Sequence, residues 1–314
     1  MTERIFIQSF MKSTKKGFKA SPFPVGRGLS SINLNVRNKL IKIIPNDLIG
    51  FITPNLPPEQ LFTLPENKLI TIVDPHGDDT AWCMGELASK LAIKNGITIL
   101  IPFSDHTGVL GSESIEVKKK LREDETSKYA FEIGMETHPL VMEFPFHGAE
   151  LVWQPNAPSL NHEETIFGDP REDDFRIFAR TLSELDPDII FIPHPLDRNQ
   201  LHRFATGLVL HSIDDLAKSA SSNFKIFFYE TFDNFDKFGV SANLFNFFKT
   251  DKAAEKYNLI YRCFKTQIKR RKGFDMSKIS DAAKGRKNKK EMNLRIPETC
   301  CERYQEVKIK TLRI

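Results

Sequence analysis

Leu69-Ile70-Thr71-Ile72-Val73-Asp74-Pro75-His76-Gly77-Asp78-Asp79 joins a short apolar run to a turn rich in acidic and metal-ligating side chains. The run is β-branched and apolar on both faces, as a strand buried in a parallel sheet is. It therefore delivers the residues after Val73 to a strand's carboxyl end. A second run of the same kind, Ile189-Ile190-Phe191-Ile192, leads into His194-Pro195-Leu196-Asp197-Arg198-Asn199-Gln200-Leu201-His202. In open α/β sheets ligands bind at that edge. One site built from two distant segments is the expectation.

Outward from these runs the chain alternates strand and helix. Strand 68–73 leads through the first motif into a helix near 80–95, ended by Asn95-Gly96. Ile97 to Phe103 reads as the next strand, and Ile115 to Ile133 as a charged amphipathic helix stopped by Gly134. A weaker strand is expected near 139–144. Helix 172–185 precedes strand 188–192, and helix 201–219 precedes strand Lys225 to Tyr229. Such alternation implies an α/β fold with a mostly parallel sheet and helices on both faces. Residues 145–170 hold six prolines or glycines and are expected as an irregular loop covering a site. Residues 1–67 have scattered apolar residues and seven prolines. They are expected as an N-terminal extension packed on a main domain of residues 68–314.

The 314 residues are 40% hydrophobic and 27% charged, an ordinary globular balance. No apolar run approaches a bilayer-spanning length. Gln8 and Ser9 interrupt Ile5-Phe6-Ile7 too soon for a signal-peptide core. Cys83, Cys263, Cys300 and Cys301 show no zinc-ribbon spacing. A reduced, cytoplasmic protein is expected, with no membrane association. From Arg262 to Lys290 there are 12 Lys/Arg against 2 Asp/Glu, while the remainder carries 33 against 39, a net of −6. The basic segment reads either as a patch for phosphate, phospholipid or nucleic acid, or as a solvated helix and loop, and the second is preferred. It lacks interleaved aromatics beyond Phe264 and Phe274, so no nucleic-acid partner is expected. Nine phenylalanines lie between Phe224 and Phe248. Some must be core. Others, Phe232, Phe235, Phe238 and Phe245 among them, form an apolar rim or a contact in a homo-oligomer, and core plus subunit contact is favoured.

Hydrolysis of an amide by a metal-activated water needs three protein ligands, a base and an oxyanion donor. His76 and Asp79 lie three apart on a strand-to-helix turn, so both can face one ion. His202, at the start of the helix after the second strand, supplies a third ligand. Two imidazoles and a carboxylate suit zinc, and also iron, cobalt or manganese. Asp78 points elsewhere and is left as the base. The alternatives are a hydrogen-bonded His76, helix-capping roles for Asp78 and Asp79, and a surface His202.

Pro75-His76-Gly77-Asp78-Asp79 resembles the Pro-His-Pro-Asp-Asp signature of the PIG-L/LmbE-like deacetylases. Asp197-Arg198-Asn199-Gln200-Leu201-His202 resembles their Asp-Arg-His-Pro-Asp-His signature. Arg122-Glu123-Asp124-Glu125, followed by Ile133-Gly134, is similar to the family's Arg-x-x-Glu helix ending in Leu-Gly. Phe103-Ser104-Asp105-His106 stands where the family's loop after the second strand lies. Tyr261 to Gln267 resembles its late helix, and Cys301-Glu302-Arg303-Tyr304 its closing Ala-Glu-x-Phe. The resemblance runs from about 68 to 310. It implies a Rossmann-like three-layer fold and zinc-dependent removal of acetyl groups from N-acetylglucosamine units. The substrate would then be a small amino sugar or a lipid-linked one. His76, Asp79 and His202 would be the zinc ligands, and Asp78 the base and later proton donor to the amine. Arg122 would bind sugar hydroxyls, and Asp105 would be a further substrate contact.

The departures are Thr80 for the usual Glu, Gly77 for proline, and Asn199 for a histidine that stabilises the oxyanion. Gly77 is expected to loosen the turn. Asparagine donates a hydrogen bond but carries no charge, and losing a charged oxyanion donor costs about 3 kcal/mol. His106 and His194 are candidate replacements, although a buried structural role suits His194 equally. The leading expectation is a zinc-dependent N-deacetylase of an amino sugar. The alternatives are a hydrolase of another sugar-linked amide and a weakened sugar- or metal-binding relative.

Overall fold

The computed structural model describes residues 60–103, 109, 113–142, 150–153, 163–166, 172–194, 197, 199–219, 224–231, 242–270 and 299–307. Their strands are β1 (Gln60–Leu61), β2 (Leu69–Val73), β3 (Gly96–Ile101), β4 (Leu140–Val141), β5 (Glu150–Trp153), β6 (Glu163–Ile166), β7 (Ile189–Pro193), β8 (Lys225–Tyr229), β9 (Leu244–Lys249) and β10 (Thr299–Val307). The helices are α1 (Asp79–Ala92), α2 (Ile115–Glu132), α3 (Glu172–Leu185), α4 (Gln200–Ser219), α5 (Thr250–Cys263) and α6 (Lys265–Arg270).

Eight strands form one sheet in the order β1-β9-β10-β8-β7-β2-β3-β4. β10 runs antiparallel to both β8 and β9, and every other pairing is parallel. The apolar runs split by parity between two cores. Ile70 and Ile72 of β2, with Ile189 and Phe191 of β7, face the core under α1, α2 and α5. Val73, Ile190 and Ile192 face the core under α3 and α4. A strand buried on both faces reads as a continuous apolar run for this reason. The expected three-layer α/β architecture is the observed one.

The topology places the site. From β2 the chain moves one way, to β3 and β4, and then returns to the far side of β2 as β7. β2 and β7 are hydrogen-bonded neighbours with Ile70 opposite Ile189. The order reverses between them, which makes a crevice at their carboxyl ends. Both motifs leave the sheet there.

Two features depart from the sequence expectation. Within residues 145–170, β5 and β6 pair as an antiparallel hairpin. Phe245 is buried in β9, so it is core rather than rim. Within the stretch expected as an extension packed on the main domain, Gln60–Leu61 pairs with β9 of the main sheet, and Phe62 packs on Phe191, Phe227 and Tyr304. Phe232, Phe235, Phe238, Asp105, His106 and the basic residues 271–290 lie outside the described residues.

Candidate metal centre

The turn after β2 is built around Asp74. Its buried carboxylate accepts from the backbone N–H groups of Gly77 at 2.6 Å, His76 at 3.2 Å, Asp79 at 3.3 Å and Thr80 at 2.8 Å. Burial and the nearby charge of Asp79 push its pKa up to about 6, against the pull of the Thr80 hydrogen bonds. Asp74, and not Asp78 or Asp79, thus satisfies the free N–H groups at the start of α1. Asp78 occupies the N-cap position, but its side chain makes no capping bond.

Gly77 does not loosen this turn. Its φ is +78°, in the left-handed region closed to proline. A Cβ there would stand 2.6 Å from Thr126 Oγ1, which donates to Gly77 O at 2.8 Å. Gly77→Ala is expected to destabilise the fold by about 1–2 kcal/mol from backbone conformation alone, and more through the clash. Urea unfolding of the two proteins measures it, and equal midpoints would refute it.

The turn brings His76 and Asp79 against His202 from the first turn of α4. His76 Nδ1 lies 2.8 Å from Asp79 Oδ2 and 2.8 Å from His202 Nε2, and His202 Nε2 lies 3.1 Å from Asp79 Oδ2. Zinc bonds of about 2.0–2.2 Å in a tetrahedron put ligand atoms roughly 3.3 Å apart. The three donors therefore fit one divalent cation. Among the described residues no other three His, Cys, Asp or Glu side chains converge in this way.

The support behind the ligands also fits a metal. His202 Nδ1 is 2.7 Å from Asp197 Oδ2, which fixes the tautomer and leaves Nε2 for an ion. Thr231, just after β8, donates its hydroxyl to the same Asp197 oxygen. Burial opposes charge on His202, but Asp197 and Asp79 outweigh it and hold its pKa well above the ordinary histidine value. Burial likewise opposes charge on Asp79, and the two imidazoles outweigh it, so its carboxyl sits well below the usual range. That upward shift favours a protonated His202 in the ion-free protein. Cation uptake must displace that proton, so apparent affinity should fall as pH falls. Calorimetric zinc titration in buffers of different ionisation enthalpy should show proton release at pH 7, and none would contradict this protonation state.

Asp78 is buried on the same turn. Arg122 Nη2 donates to its Oδ1 at 2.9 Å and Trp82 Nε1 to its Oδ2 at 2.9 Å. Arg122 is only 5% exposed and also donates to His76 O. The guanidinium that the resemblance assigns to sugar hydroxyls braces the ligand turn here. Asn199 caps α4: its Oδ1 accepts from Leu201 N at 2.9 Å, and its Nδ2 lies 3.2 Å from His76 Nε2. It is thus beside the cluster, against the back of a ligand ring. His194 is 1% exposed, packs edge-on to Phe228, and has its pKa depressed to about 3 by burial. It is neutral and offers no charged oxyanion donor. Asp74, Asp197 and Thr231 were not singled out from sequence. Asp74 and Asp197 stand inside the two motifs, but Thr231 carries no sequence signal.

No protein-family model and no curated protein matches the chain by sequence. Solved structures match it by shape. The N,N'-diacetylchitobiose deacetylase from Pyrococcus horikoshii, in complex with its inhibitor MPG, is 14% identical; the match covers 75% of this chain and 83% of that one with a TM-score of 0.54. The zinc-inhibited form of the teicoplanin deacetylase Orf2 is 13% identical over 77% of this chain and 98% of that one, with a TM-score of 0.54. GalB, the 4-carboxy-2-hydroxymuconate hydratase from Pseudomonas putida KT2440, is 12% identical over 79% and 99%, with a TM-score of 0.50. At such identities the likeness is one of fold, and one fold serves both deacetylases and a hydratase. The chain has the Rossmann-like α/β fold of these deacetylases, the fold that its PIG-L/LmbE-like motifs imply.

Proposed function

We propose that this protein is a metal-dependent hydrolase that removes the acetyl group from an N-acetylated amino sugar. The convergence of His76 Nδ1, Asp79 Oδ2 and His202 Nε2 beside Asp78, at the switch point of the sheet, carries the reading. The two deacetylases of the same fold support it. The cation, zinc by the donor set, would polarise the scissile carbonyl and make water a nucleophile at neutral pH.

The chain's own residues supply the remaining steps. Asp78 takes the proton of the attacking water and later gives it to the departing amine. Arg122 and Trp82 hold its carboxylate in one orientation for both transfers. Asp197, fixed by Thr231, holds the His202 ring. Asn199, which stands where the resemblance expects the oxyanion histidine, carries no charge and sets its Nδ2 against His76 Nε2. Its engagement with His76 and the start of α4 favours a second reading, hydrolysis of a different sugar-linked amide.

Acetate release from a panel of N-acetylglucosamine glycosides tests the proposal. One neighbour is known in a zinc-inhibited form, so zinc should be added at one equivalent and compared with cobalt and manganese. Release that disappears on chelation and returns with metal supports the reading. Bound metal without release on any acetylated sugar rejects the substrate class.

A further inference from the structure

α1 is not one continuous helix. Met84 has φ −140° and ψ +23°, so the helix breaks there. The short first part, Asp79 to Cys83, carries the ligand Asp79 and Trp82, the donor to Asp78. The second part, from Gly85, has to begin again with unpaired N–H groups. Glu302 meets them. Its Oε1 accepts from Glu86 N at 2.9 Å and its Oε2 from Leu87 N at 2.9 Å. Glu302 stands on β10, far from the two motifs in sequence.

This carboxylate has further donors. Lys256 Nζ of α5 reaches Oε1 at 2.7 Å, Asn246 Nδ2 of β9 reaches Oε2 at 3.0 Å, and Tyr304 hydroxyl reaches Oε2 at 3.1 Å. Lys256 and Glu302 are almost wholly buried. Gly85, next to the kink, leaves room beside Lys256: a Cβ there would lie 3.1 Å from Lys256 Cε and 3.2 Å from Tyr129 Oη. A buried ion pair of this kind adds little net stability over an apolar pair. Its geometry suits placement, because it anchors the restarted part of α1, to which the first turn, bonded to Asp74 at its start, is joined through Met84.

We propose that Glu302, with Lys256, is a positioning residue for the metal centre: by capping the restarted α1 at the Met84 break it sets where Asp79 and Asp78 lie. The inference rests on the assignment of His76, Asp79 and His202 as ligands. Glu302 meets α1 at Glu86 and Leu87. It acts through this restarted part, to which the first turn is joined at Met84, so loss of the cap lets that turn shift relative to His202.

The test is zinc affinity by competition with a chromogenic chelator, read together with thermal unfolding. Glu302→Gln alone strands the Lys256 cation and may be replaced, where it fails to fold, by the double variant Glu302→Gln/Lys256→Met, which removes both charges. Leu182→Ala, in the opposite core, serves as a destabilised control without contact to α1. The expected result is zinc binding about tenfold weaker in the double variant, the scale seen for outer-shell partners of a metal, with affinity unchanged in Leu182→Ala at a comparable or lower melting temperature. Unchanged affinity in the double variant overturns the positioning role while leaving the ligand assignment intact. Equal affinity of wild type and His202→Ala would overturn both.

Discussion

His202→Ala should abolish stable cation binding. It deletes one of three protein ligands, so the loss should exceed the roughly 10- to 100-fold that removal of an outer partner causes. Asp197→Asn gives the internal scale. It keeps the size of the group behind His202 but not the charge that fixes the ring, and should weaken binding by about 10- to 100-fold. His202→Ala also acts on stability. Asp197 is buried and loses its imidazole partner, keeping the Thr231 hydroxyl. Breaking one side of a buried charge pair costs about 3–5 kcal/mol. Metal content after dialysis and urea unfolding of the ion-free protein separate the two effects. A His202→Ala protein that still holds one equivalent of metal would reject the ligand assignment.

The parts legible in sequence were those fixed by local pattern. The runs 69–73 and 189–192 are apolar on both faces, and such runs have few homes outside a parallel sheet. Their following turns concentrate His and Asp at one edge, which put His76, Asp79 and His202 together before any coordinates. What could not be read depends on distant partners. β9 holds phenylalanines and β10 charged residues, neither with a clean period, because β10 is inserted antiparallel between β8 and β9 and its pattern reflects neighbours from elsewhere in the chain. Glu302 is marked in sequence only as part of the closing Cys301-Glu302-Arg303-Tyr304 motif, and its place at the break in α1 emerges only when β10 brings it there. Gly77 was misread for a related reason: glycine lowers backbone preference in isolation, but here four N–H groups converge on Asp74 and need a left-handed residue between them. The resemblance assigns Arg122 to substrate, and its burial against Asp78, not legible in sequence, follows from α2 packing beside the turn.

That pairing shapes the second large effect, in Asp78→Asn. Amide oxygen can still accept from Arg122 or Trp82, but the amide nitrogen must face the other donor, and the variant cannot take a proton from water. Acetate release should fall by about 10²–10⁴-fold, the usual worth of a positioned acid–base group. Metal binding should change little, because Asp78 is not among the three converging ligand atoms. Stability should fall as well, since Arg122 is left as a buried cation with weaker partners. The double variant Asp78→Asn/Arg122→Gln removes that charge and should recover stability without recovering turnover. A base that acts in catalysis and a carboxylate that only neutralises Arg122 thus give opposite results. If the double variant regains acetate release along with stability, Asp78 is structural and the base must be sought elsewhere. If stability returns and release does not, with metal still bound, the proton transfers belong to Asp78.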